Sequence, residues 1–130
     1  MASAKLGRLE LKVMDALWRL GTASVREIQE QIRGKPRPAY TTVQTVVSRL
    51  EAKGAVRRTK KVGNAHIFEP VLKRESIHRR VADDLLSLFG GGARPLISHL
   101  VETGQLTLDD IDDAREMLRA VEQQKGERKK

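Results

Sequence analysis

The chain contains no cysteine. Disulfide frameworks, thiolate metal sites and cysteine nucleophiles are thereby excluded, and the composition suits a reducing compartment, with the cytoplasm expected. Aromatic residues are scarce as well, at 3% of 130 residues, so any core must be assembled from Leu, Val, Ile and Ala. No long uncharged apolar run occurs, and Met1 to Lys12 lacks the apolar stretch of a signal peptide. Neither a secretory leader nor a membrane span is expected. The three histidines, His66, His78 and His99, stand far apart with no second ligand at metal-binding spacing, so no metal and no cofactor is expected. Gly90-Gly91-Gly92 lacks the Lys-Ser/Thr that completes a phosphate loop. Asp109, Asp110, Asp112 and Asp113 lack EF-hand spacing and suit the first turn of a helix. With no nucleophile-base constellation and no evident small-molecule substrate, the chain does not read as an enzyme.

Positive charge is abundant and unevenly placed. The whole chain carries +8. Residues 1–72 hold 14 Lys and Arg against 6 Asp and Glu, whereas residues 73–130 hold 11 of each. The length allows one ordinary domain or two small ones. The asymmetry suggests a basic module for a polyanion joined to a neutral module with another task.

Hydrophobic spacing gives the order of elements. Leu9, Val13, Ala16, Leu17 and Leu20 form a helical stripe, with Leu11, Met14 and Trp18 on another side of the same helix. A helix apolar on two sides usually packs against two things. Ser24 to Glu27 has capping-box spacing and opens a short helix carrying Val25, Ile28 and Ile32. Gly34 to Pro38 reads as a loop, because two prolines cannot sit in a helix interior. Val43, Val46, Val47 and Leu50 predict a third helix from near Thr41 to Lys53. Two extended runs, Val56 to Lys61 and His66 to Val71, flank a turn at Gly63 and Asn64 and predict a β-hairpin. Beyond it, three more helical stripes follow: Ile77 to Phe89, Leu96 to Val101, and Ile111 to Val121. The expected fold class is mainly α with a small hairpin. A winged helix-turn-helix over residues 1–72 is followed by a helical module over 73–124 and a disordered basic tail over 125–130.

Three helices and a hairpin in this order form a winged helix-turn-helix, which places the third helix in the DNA major groove. Opposite its valines lie Thr41, Gln44, Thr45 and Ser48, with Thr42 at the flank. A merely solvated face prefers Lys and Glu. Short hydroxyls and an amide instead match base edges and thymine methyls. The long cations stand to the sides, at Arg37, Arg49, Arg57, Arg58, Lys60 and Lys61, where phosphates would lie. Tyr40 and Asn64 complete the expected backbone-contacting set. The hairpin cations also fit a solvated edge guarded against strand pairing. His66 reads as a plain surface residue, with DNA as the alternative.

The run Leu9 to Trp18 resembles the first helix of the penicillinase-repressor family of the BlaI/MecI type, and Ala39 to Leu50 resembles its recognition helix. Phe68-Glu69-Pro70 at the wing end and Leu88-Phe89-Gly90-Gly91 are similar too, so the match runs from about Leu6 to Val121. The resemblance implies a homodimeric repressor of dyad-symmetric operators, often with TACA/TGTA half-sites. It also implies a dimer interface in the helices after the wing. Ile77, Val81, Leu85, Leu88, Phe89, Leu96, Ile97, Leu100, Ile111, Ala114, Leu118 and Val121 are the expected contacts. That agrees with three apolar stripes in a neutral segment of 58 residues, for which a closed monomeric cap is the alternative. In beta-lactam-responsive members a membrane sensor-protease triggers cleavage of an Asn-Phe bond, which maps to His99-Leu100 with both residues different. The cysteine-rich metal motif of copper-responsive relatives has no counterpart here. A winged-helix module that docks on acidic protein without binding specific DNA is the competing reading.

Overall fold

The computed structural model describes residues 6–90 and 92–128. Its elements are α1 (Arg8–Leu20), α2 (Val25–Gln31), α3 (Tyr40–Ala52), β1 (Val56–Val62), β2 (Ala65–Pro70), α4 (Arg74–Leu88), α5 (Arg94–Glu102) and α6 (Leu108–Arg128). The protein is mainly α-helical with one antiparallel hairpin, in winged helix-turn-helix order. Two compact units divide it, one through Val81 and one from Ala82.

In the first unit both stripes of α1 are used. Val13, Met14, Ala16 and Leu17 are fully buried, and they meet Ile28 and Ile32 from α2 and its end, and Val43, Val46, Val47 and Leu50 from α3. Each such side chain contributes about 1.5–3 kcal/mol on burial, which offsets the mediocre helix propensity of three valines in α3. Ser24 caps α2 as its spacing predicts: Ser24 Oγ accepts from Glu27 N at 3.2 Å, and Glu27 Oε1 accepts from Ser24 N at 2.9 Å. Ala55, Val56 and Phe68 close the core from the hairpin side.

The hairpin turn falls at Gly63-Asn64, with Val62 paired to Ala65. Gly63 has φ +61° at the first turn position, where a two-residue hairpin needs a positive φ that glycine supplies without strain. A bulge at Thr59 interrupts β1: Arg58 faces Phe68, but Lys60 already faces Ile67 and Lys61 faces His66. Ala23 adds a one-residue bridge to Phe68 through reciprocal backbone hydrogen bonds of 3.0 and 2.8 Å, tying the α1–α2 connection to the wing. Trp18 fastens the start of α4. Its Nε1–H donates to the Leu72 carbonyl at 2.9 Å, Arg74 stands 5.9 Å over its ring, and His78 meets it edge-on at 5.8 Å.

In the second unit Thr107 and Asp110 cap α6 reciprocally at 3.2 and 2.9 Å. Hydrogen bonding to the exposed Asp110 carboxyl, first from the Thr107 N–H and then from the Thr107 side chain, holds it below the usual aspartate range. Two expectations change here. The last helix continues through Lys125 to Arg128 instead of ending in a tail, because Gln123, Gln124 and Lys125 are good helix formers and the terminal cations suit the helix dipole. Lys129 and Lys130 lie outside the described residues. The boundary between units falls inside α4 and not after Leu72. Ile77, assigned from its stripe to a dimer contact, is only 4% exposed within the single chain, since the first turns of α4 belong to the winged unit.

Candidate nucleic-acid interface

α3 presents two chemically opposite faces. Val43, Val46, Val47 and Leu50 are buried, whereas Thr41, Thr42, Gln44, Thr45, Ser48 and Arg49 are all exposed. The 3.6-residue period alone produces this division. Thr45 Oγ1 donates to the Thr41 carbonyl at 3.0 Å, so its proton is committed to the helix and its methyl and remaining lone pair face outward. Thr45 can therefore meet a thymine methyl or accept from a base amino group, but cannot donate.

A cleft of about 450 Å³ runs between this face, the start of α2 and the hairpin. Tyr40, Gln44 and Ser48 line it from α3, Arg26 from α2, and Arg58, Asn64 and His66 from the wing. Tyr40 is 37% exposed, and the Arg26 guanidinium stands 5.3 Å from its ring centroid. Arg26 was not expected from the sequence. A cation in the first turn of α2 runs against the helix dipole, and that oddity was the available signal. Arg37 is exposed in the loop before α3, at a distance in sequence from the wing cations.

The bulge decides which wing cations act together. Residues paired across a hairpin share a face, and neighbours in a strand alternate. Arg58 opposite Phe68 and Lys61 opposite His66 therefore share one face of the hairpin, while Lys60, opposite Ile67, takes the other; Arg58, His66 and Phe68 of that first face line the cleft. Regular alternation would have grouped Arg58 with Lys60. The sequence carries no clear mark of the bulge, so Lys60 and Lys61 read alike there.

The cations also differ in how they are held. Arg58 Nε donates to Glu51 Oε2 at 3.0 Å, its Nη1 is 3.3 Å from His66 Nε2, and its guanidinium stands 5.7 Å over the Phe68 ring. Arg57 is paired with Glu69. Lys53, at the end of α3, donates to Glu10 Oε1 at 2.8 Å. Burial pushes the Glu10 carboxyl up, but hydrogen bonds from Lys53 and the Gly7 N–H, with the charges of Lys53 and Arg49, outweigh it and hold the group below the ordinary glutamate range. This pair ties the far end of α3 to α1.

In the second unit the expected contact residues stand at the surface. Exposure is 41% for Val81 at the end of the first unit, then 38% for Leu85, 82% for Leu88, 42% for Phe89, 46% for Ile97, 62% for Leu118 and 47% for Val121. Ile111 and Ala114 are exposed, and Leu96 and Leu100 are half-buried. His99 and Leu100 lie within the helical span of α5. No helix among the described residues is long and apolar enough to cross a membrane.

Comparison of the sequence with known proteins shows the family. The penicillinase repressor family model matches residues 6–120. A transcriptional regulator BlaI of Mycobacterium tuberculosis is 33% identical over 127 residues, spanning 95% of this chain and 90% of the relative. A penicillinase repressor of Staphylococcus aureus is 24% identical over 115 residues, spanning 88% and 90%. The solution structure of the DNA-binding domain of the repressor BlaI superposes with a TM-score of 0.48 at 24% identity, over 55% of this chain and 87% of that one. The chain belongs to the penicillinase repressor family, and is a DNA-binding transcriptional repressor.

Proposed function

We propose that the protein represses transcription in the cytoplasm as a homodimer on a dyad-symmetric operator, with one α3 in the major groove of each half-site. Thr41, Thr42, Gln44, Thr45 and Ser48 read base edges, while Arg37, Tyr40, Arg49, Arg58, Lys61 and Asn64 hold the backbone; Lys60, turned to the other face of the wing by the bulge, adds only to the surrounding positive field. The observation that carries this reading is the exposed face of α3, which is short, polar and uncharged at its centre and framed by cations. Phosphate contacts set register, and base-edge contacts supply sequence preference. The test is competition of a labelled TACA/TGTA dyad duplex against bulk DNA. A specific repressor prefers its operator by about 10³-fold or more, and a ratio near one refutes it.

The exposed apolar residues Val81, Leu85, Leu88, Phe89, Ile97, Ile111, Ala114, Leu118 and Val121, with the half-buried Leu96 and Leu100, support pairing through α4, α5 and α6. Contiguous apolar surface of this kind marks an interface, and a neutral charge balance over residues 73–130 favours a like copy. Sedimentation at micromolar protein tests this, and a monomer at all concentrations refutes it. Relief by a membrane sensor-protease at the His99–Leu100 bond is part of the proposal. Because that bond is helical, cleavage requires α5 to open locally. Co-expression with such a protease and a beta-lactam, followed by fragment mapping, tests it; an intact chain refutes this route of induction.

A further inference from the structure

His66 lines the cleft between α3 and the wing, and the bulged register sets it beside Lys61 on the face that also carries Arg58. Arg58 Nη1 lies 3.3 Å from His66 Nε2. A guanidinium has only donors, so the imidazole nitrogen facing it must offer a lone pair. In this contact Nε2 is the acceptor, which leaves Nδ1 to carry the ring proton. Cations surround the ring. Arg58 and Lys61 face it from β1, and Arg26 lines the same cleft from α2. The nearest carboxylates are occupied, Glu51 of α3 with Arg58 and Glu69 of β2 with Arg57. No acid is among the described residues that line the cleft.

A polyanion in the cleft reverses this balance, because it supplies the negative charge that the three cations lack. We propose that His66 is a proton-linked phosphate ligand of this repressor: DNA binding takes up one proton from solvent at Nε2 of each His66. The new Nε2–H donates to a phosphate oxygen, and Arg58 Nη1, released from the imidazole, turns to the same backbone. No covalent bond changes, and the only co-reactant is a solvent proton. The inference rests on the reading of the cleft as a DNA surface. Its sign is fixed. A group protonated in the complex and neutral in the free protein makes affinity rise as pH falls through the histidine range, around pH 6–7.

The test is fluorescence anisotropy at constant salt between pH 7.5 and 6.0, on a TACA/TGTA dyad duplex and on a scrambled duplex of equal length. His66→Gln keeps an acceptor for Arg58 but cannot titrate, and the position is exposed, so the fold is preserved. Wild type should tighten about fivefold per protomer at the lower pH on both duplexes, inside the ceiling of about 30-fold that uptake of one proton sets over 1.5 pH units. The variant should lose that increment. Calorimetry in two buffers of different ionisation enthalpy should show fewer protons taken up by the variant. Equal pH slopes for the two proteins, or a wild type that binds more weakly at pH 6.0, overturns the inference. Loss of preference for the dyad with the pH difference intact sinks the operator reading and leaves the proton linkage standing.

Discussion

Lys60 and Lys61 are adjacent and chemically identical, yet the bulge at Thr59 pairs Lys61 with His66 on the hairpin face that carries Arg58, and turns Lys60 to the other face. Replacing each by alanine should therefore give different DNA binding. Neutralising one phosphate contact lowers the slope of log K against log salt by about 0.9, or about 1.8 for a dimer with two wings. Between 50 and 200 mM salt, the advantage of wild type over Lys61→Ala should then shrink by about 12-fold. Lys60→Ala should leave the slope nearly unchanged, since its side chain takes the opposite face and contributes only to the distant field, which salt screens within about 10 Å. A salt titration of duplex binding, followed by anisotropy, measures both slopes. Both lysines are exposed, so neither substitution threatens the core. Equal slope changes for the two variants, or a larger one for Lys60→Ala, would refute the assignment of wing faces by the bulged register.

Gln44→Ala should relax base preference at one position of each half-site, costing about 1–3 kcal/mol on the preferred sequence and little on others; selection from a randomised duplex pool reads this. Leu50→Ala removes a fully buried side chain at the meeting of α1 and α3, and should destabilise the winged unit by about 2–5 kcal/mol in urea unfolding. Because the Glu10 carboxyl titrates below its ordinary range when folded, it contributes stability at neutral pH that is lost as pH falls through that lowered value. Lys53→Met should thus cost about 1 kcal/mol at pH 7, and the cost should shrink as pH falls through the lowered value and the carboxyl takes up its proton. Leu118→Lys should shift the chain toward monomer in sedimentation and weaken binding to a dyad far more than to a single half-site.

Much of the winged unit was legible in the sequence because its signals are local. The valine spacing of α3, the Ser24–Glu27 capping box and the Gly63-Asn64 turn each follow from a period or a cap geometry that a few adjacent residues determine. The exposed polar face of α3 followed from the same period. What escaped depends on contacts distant in sequence. The Ala23–Phe68 bridge joins residues 45 apart, the Trp18–Leu72 hydrogen bond joins residues 54 apart, and neither has a local signature. The bulge escaped because Thr59 among Arg and Lys fits either alternation, and only the pairing with β2 shows the break. Ile77 differs from the rest of its stripe for a related reason: one apolar period runs along α4, yet Ile77 is buried within the winged unit while Val81, Leu85 and Leu88 are exposed.

That divided stripe bears on how the protein is stabilised. The buried core lies wholly in the first unit, and no described residue of α5 or α6 is buried. Ordering a residue costs about 1–2 kcal/mol of backbone entropy, and isolated helices of nine and 21 residues recover little of it through their own hydrogen bonds. The second unit must therefore draw its stability from what covers Leu85, Leu88, Ile97, Leu118 and Val121. If a second copy covers them, mass action makes its melting depend on protein concentration, while the winged unit, whose core is complete in one chain, melts at a fixed temperature. Two transitions, of which only one moves with concentration, are the expected calorimetric result; a single concentration-independent transition would mean that the helices after the wing are held by the chain's own contacts.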